Sequence, residues 1–227
     1  MEITRLAVLF SALVLSGCHS AGKENSTSEV SKYATPYGEW KFDFFTPKLL
    51  SAVVTHVKLI DTDGYVYEFN TIDKTQSDPE VVGTWNDFTR SNFVSINYNK
   101  AKYPPHFMVF CWDSVIDKKV YETYLTFKQP IWEKMITPAT HKDSYGRITY
   151  YKTMVIGLAP EGKVAVWLQD VDDHPNYRVT PTAIKTLSGD QLNICKGITD
   201  SDFSYGYDQD IKDFIKGKPT PTGIGET

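Results

Sequence analysis

Two hydrophobic patterns divide the chain. The first is one apolar run over residues 6–15, in which Ser11 is the only polar position. It follows a short head carrying Arg5 and leads into Leu15-Ser16-Gly17-Cys18. A positive head, an apolar stretch and small residues before a cut describe a secretory signal sequence. The run is too short to span a bilayer, which takes roughly 20 apolar residues. Nor does it suit a core helix, because Ser11 alone makes no polar face. Residues 19–35, HSAGKENSTSEVSKYAT, are small and polar and cannot bury enough surface to order themselves. As a flexible coil this tether would span roughly 20–25 Å.

The second pattern starts at Pro36 and has period two. Trp40, Phe42 and Phe44 alternate with Lys41 and Asp43, which predicts a half-buried strand that Pro47 stops. Residues 52–60 predict a second strand, and Asp61-Thr62-Asp63-Gly64 turns the chain into a return strand at 65–69. The Asp-x-Asp-Gly string reads as a turn and not as a calcium loop, because the twelfth position holds Ile72 where a bidentate Glu belongs. Residues 71–80 read as a polar loop, 83–85 as a short strand or turn, and 93–98 as a strand. The near-continuous apolar run 107–112 predicts a central strand buried on both faces. Strands are also predicted at 120–127, 149–158, 163–168 and 177–185, with Ala159-Pro160-Glu161-Gly162 turning one hairpin.

Helical spacing is confined to short pieces. Pro130 opens a two-turn helix containing Ile131, Trp132, Met135 and Ile136, which Pro138 ends. A helical turn fits 189–195, and a further short helix fits 208–216. The fold class is therefore mainly β (α+β): antiparallel, sandwich-like sheets with two or three short helices. The organisation is a signal peptide at 1–17, a tether at 18–35 and a single β-rich domain at 36–227. The 14 Tyr, 12 Phe and 5 Trp favour sheets.

The net charge is −4, and removal of residues 1–17 takes away one acid and one base, leaving it unchanged. A weakly acidic chain has no electrostatic drive toward nucleic acid. Three cysteines are present. With Cys18 set aside, Cys111 and Cys195 could form one disulfide in an oxidising compartment, or Cys111 could be a buried thiol.

Chemistry-bearing motifs are scarce. No Cys-x-x-Cys, His-Glu-x-x-His or Gly-x-Ser-x-Gly string occurs, so no metal, no cofactor and no enzymatic activity are expected. Residues 169–176 form an acidic loop in which Asp170, Asp172, Asp173 and His174 could dock a basic partner, bind a metal weakly or simply be solvated. Trp85, Tyr205, Tyr207 and Asp208 lie in polar surroundings and suit an interface better than Trp40, Trp112 and Trp167, which sit in strand patterns.

Leu15-Ser16-Gly17-Cys18 resembles the lipobox of bacterial lipoproteins. That resemblance implies diacylation of Cys18, which becomes the first mature residue. His19, where enteric retention uses Asp, implies the outer membrane. The strings EWKFDFFTPK (39–48), LIDTDGYVYEF (59–69), YPPHFMVFCWDSVIDKKVYETYLTF (103–127) and GLAPEGKVAVWL (157–168) resemble a proteobacterial lipoprotein family known as domain of unknown function 2931. Glu161 stands where that pattern has the first Gly of a Gly-Gly pair. Members of this family are often encoded beside lipase effectors of the type VI secretion system. The resemblance thus implies a periplasm-facing immunity protein that binds a secreted lipase effector one to one. The competing expectation is a passive envelope component.

Overall fold

The structure, a computed structural model, describes residues 31–47, 50–70, 73–74, 76–78 and 99–199, together with 209, 213 and 216. In chain order its strands are β1 (Trp40–Pro47), β2 (Ala52–Asp61), β3 (Val66–Phe69), β4 (Asp73–Lys74), β5 (Gln76–Asp78), β6 (Lys100–Ala101), β7 (Pro105–Ser114) and β8 (Lys119–Thr126). Helix α1 (Gln129–Ile136) follows, then β9 (Thr153–Ala159), β10 (Lys163–Leu168), β11 (Tyr177–Val179) and β12 (Ala183–Ser188). They build two six-stranded sheets. The first runs β11-β10-β9-β1-β5 with β6 also on β1, and the second runs β12-β8-β7-β2-β3 with β4 also on β2.

The mainly β prediction holds, with two refinements. Pairing is antiparallel except at β1, which lies parallel to both β9 and β5. One α-helix stands among the described residues. The 189–195 turn is a short 3-10 segment, Gly189–Gln191. Of the 208–216 helix, Gln209 and Asp213 are helical and joined by a 2.9 Å side-chain hydrogen bond, and the rest lies outside the described residues. The strands expected at 83–85 and 93–98 also lie outside them. The 71–80 loop instead contributes the backbones of β4 and β5.

Both sheets supply one core. Phe42 and Phe44 of β1 meet Phe110 and Trp112 of β7, with Leu125, Phe127 and Met135 around them. The rings of Phe44 and Phe110 lie 5.0 Å apart. β7 is buried on both faces, as its unbroken apolar run predicts. β1 was expected to be half-buried, yet its second face is buried too. There Phe45 joins Val155, Ala159, Ala165 and Trp167 in a smaller cluster. Gly157 makes that cluster possible, because a Cβ on it would lie 2.9 Å from both the Phe45 and Trp167 rings.

The turns carry their own clamps. Asp61 accepts the N–H groups of Asp63 (2.9 Å) and Tyr65 (3.0 Å) and the Tyr67 hydroxyl (3.1 Å), so its carboxylate organises the β2–β3 hairpin. At the β9–β10 turn Glu161 has φ 65°. That left-handed conformation favours glycine, which is why a Gly suits this position in the resembling pattern. The strain is offset by Asp117, whose Oδ2 accepts the Glu161 N–H (2.5 Å) and the Tyr121 hydroxyl (2.8 Å), tying one sheet to the other.

Cys111 of β7 and Cys195 form a disulfide across a separation of 84 residues. Beside it, Glu122 accepts N–H bonds from Asn193 (2.8 Å) and Cys195 (2.9 Å) and a bond from the Tyr124 hydroxyl. Burial alone would raise this carboxyl; the donors outweigh it and hold the carboxyl below the usual range. Residues 193–195 are thus fastened to the outer face of the second sheet.

The 177–185 strand is two strands. Thr180-Pro181-Thr182 separates β11, in the first sheet, from β12, in the second. Tyr33 packs edge-on against Trp132 at 5.1 Å, and the Thr35 hydroxyl donates to the Lys102 carbonyl at 3.0 Å. No helix among the described residues is long and apolar enough to cross a membrane.

A candidate partner-binding site on two interlocked loops

The acidic loop 169–176 leaves β10 beside the 139–152 segment that joins α1 to β9. Hydrogen bonds between the two loops use most of the carboxylates that the sequence offers to a partner. Asp170 is 6% exposed at its side chain. Its Oδ1 accepts the Val171 N–H at 2.8 Å and meets His141 Nε2 at 2.8 Å, while Oδ2 accepts the Tyr151 hydroxyl at 3.1 Å. Burial, then the neighbouring Asp170 charge, pushes the Tyr151 phenol up to about 12, so it stays a donor. Asp172, at φ 52°, reaches across to the other loop. Its Oδ2 accepts the Ser144 N–H at 2.7 Å and its Oδ1 the Ser144 hydroxyl at 3.2 Å.

Asp173 and His174 are exposed. The His174 ring stacks on His141, with centroids 3.6 Å apart and planes 25° apart. Lys134 of α1 sits over the rings of Tyr151 (4.7 Å) and Tyr177 (4.6 Å), which anchors the base of the site to the helix. Cation–π contacts of this kind contribute about 0.5–2 kcal/mol.

The 141–148 segment forms a small finger. Lys142 bridges to Ile148, and the Gly146 N–H donates to the Asp143 carbonyl at 2.8 Å. Gly146 has φ 76°, which the turn requires. Asp143 accepts the Tyr145 N–H (3.0 Å), the Arg147 N–H (2.8 Å) and Arg147 Nε (2.7 Å). The Arg147 N–H is the largest influence holding this carboxyl below the usual range. The finger therefore displays side chains that serve no core: Tyr145 is 80% and Ile148 63% exposed.

Sequence reasoning found Asp170, Asp172, Asp173 and His174, and the structure places all four in one loop. It turns Asp170 inward, whereas Asp172 bonds to Ser144 while staying exposed. His141, Tyr145, Arg147, Ile148 and Tyr151 were missed. The signal for the finger was Asp143-Ser-Tyr-Gly-Arg, an Asp-initiated turn with glycine at its left-handed position. Trp85, Tyr205, Tyr207, Asp208 and the lipidation candidate Cys18 lie outside the described residues. No group of three or more metal-ligating side chains occurs among the described residues.

A family model described as a protein of unknown function (DUF2931) matches residues 21–223, which includes both loops and both sheets. The chain belongs to the DUF2931 family. No curated protein and no solved structure matches it. This DUF2931 chain carries a second exposed pair, Tyr65 (55%) and Val66 (67%), where the β2–β3 hairpin turns. There Tyr65 stacks on Tyr103 at 5.9 Å, so the pair is half committed to its own neighbour.

Proposed function

We propose that this DUF2931 protein is an outer-membrane lipoprotein, anchored through Cys18 and facing the periplasm, that binds and neutralises a secreted lipase effector. The observation that carries the binding half is the combination of a loop pair locked by its own carboxylates with the exposed Tyr145 and Ile148 that it displays. Exposed aromatic and aliphatic groups on a fixed scaffold suit recognition, because little conformational freedom is lost when a partner docks. The location half is supported by Leu15-Ser16-Gly17-Cys18 after the apolar run. Two or three acyl chains on Cys18 suit stable attachment, since a single chain gives only marginal binding. The two sheets, stacked as a sandwich-like body, would carry the loop pair as a rigid unit.

The test is a growth competition. A strain deleted for this gene is grown against a sibling armed with the secretion system and its lipase. The deletion strain is expected to be killed and to recover when the gene is restored. Survival of the deletion strain unharmed contradicts the proposal.

A further inference from the structure

The 141–148 finger presents exposed cations beside an acidic loop. Asp143 is 9% exposed at its side chain, whereas its partner Arg147 is 71% exposed. Asp170 is 6% exposed and Asp172 bonds to Ser144. Lys142 at the base of the finger is exposed. The large side chains that solvent meets on residues 141–148 are therefore Lys142, Tyr145, Arg147 and Ile148, with Asp172 and Asp173 exposed on the neighbouring loop. The Arg147 guanidinium lies 4.8 Å from the centre of the Tyr145 ring, giving the tip one cationic-aromatic surface.

Shape narrows the partner further. The tip is a turn whose backbone is held by Asp143 from inside and by Asp172 from the side. Such a projection is ready to enter a cavity without first being ordered. A flat partner would leave Tyr145 and Ile148 partly wet. An apolar cleft would bury both, and full burial of side chains this size is worth about 1.5–3 kcal/mol each.

We propose that the 141–148 finger inserts into the partner, with Tyr145 and Ile148 entering an apolar cleft and Lys142 and Arg147 facing acidic groups on its rim. This rests on the lipase reading above, where the cleft is the one that receives acyl chains. A finger seated there excludes the lipid substrate.

The experiment uses the full chain in detergent and the purified secreted lipase of the proposed pair. Binding is measured by calorimetry for the wild type, Tyr145→Ala, Ile148→Ser and the control Ile184→Ser on β12. The wild type is also titrated against lipase whose active serine carries an alkyl phosphonate that fills the cleft. Tyr145→Ala and Ile148→Ser are expected to weaken binding at least tenfold each, with the control within twofold. The phosphonate is expected to abolish binding, and higher salt to weaken it. Tyr145 and Ile148 are exposed, so unchanged thermal unfolding separates lost contact from lost fold. If the wild type binds and both finger variants bind equally well, insertion is overturned while the lipase reading stands. If the phosphonate-filled enzyme binds as tightly as the free one, the cleft is the wrong occupant. If the wild type does not bind the lipase at all, the lipase reading fails and insertion fails with it.

Discussion

Asp113 shows how much a single side chain can oppose its own fold. It sits on β7 between Val53 of β2 and Val120 of β8 and is 1% exposed. Neither of its oxygens has a hydrogen-bond partner within bonding distance among the described residues. Burial pushes its carboxyl up to about 6. A folded-state value above the ordinary one means the protonated form is favoured by folding. Its contribution is therefore fully present below about pH 4 and is lost as pH rises toward and through 6. Asp113→Asn is expected to raise stability at pH 7.5 by roughly 2 kcal/mol and to flatten stability between pH 4 and 7. Urea unfolding at several pH values reads this out; an unchanged pH profile contradicts it. Asp170 teaches the complementary lesson. The sequence shows an acid in an acidic loop, but the partners that turn it inward, His141 and Tyr151, lie 29 and 19 residues earlier. Local pattern does not contain that information.

Among the elements, the ones legible in sequence were those whose signal is local. The β2–β3 and β9–β10 hairpins follow from alternation around a turn, and α1 follows from Pro130 and helical spacing. Pairings of distant segments were not legible. The parallel contact of β1 with β9 joins Lys41 to Thr153 across the chain, and nothing in either strand names the other. The split of 177–185 was signalled by Pro181, but which sheet each half would join was not. The Cys111–Cys195 bond stood in the sequence only as a possibility. It closes a separation of 84 residues and holds residues 193–195 over Glu122. Constraint of the unfolded chain by a loop this long is worth roughly 4 kcal/mol. Replacing both cysteines by serine is expected to lower stability by about that amount, read from denaturant midpoints. A midpoint unaltered in the double variant, or in the reduced wild type, contradicts this.

At the scale of the whole molecule, a β-rich body follows in sequence a segment that ends in Leu15-Ser16-Gly17-Cys18. The proposed location rests on Leu15-Ser16-Gly17-Cys18, a contiguous string. The proposed docking surface was not legible, because it is assembled from residues 141–148 and 169–177, which lie on opposite sides of the β9–β10 hairpin in sequence. The sequence offered 169–176 as an acidic loop that could dock a basic partner; the folded loops turn Asp170 inward, keep Asp172 and Asp173 exposed and set Tyr145, Arg147 and Ile148 outward beside them.

The central claim is that this DUF2931 protein disarms a lipase by binding it. The most direct measurement is hydrolysis of phospholipid vesicles by the secreted lipase of the proposed pair, titrated with this protein. Activity is expected to fall linearly and vanish at one equivalent. Undiminished hydrolysis in the presence of excess protein would contradict the account.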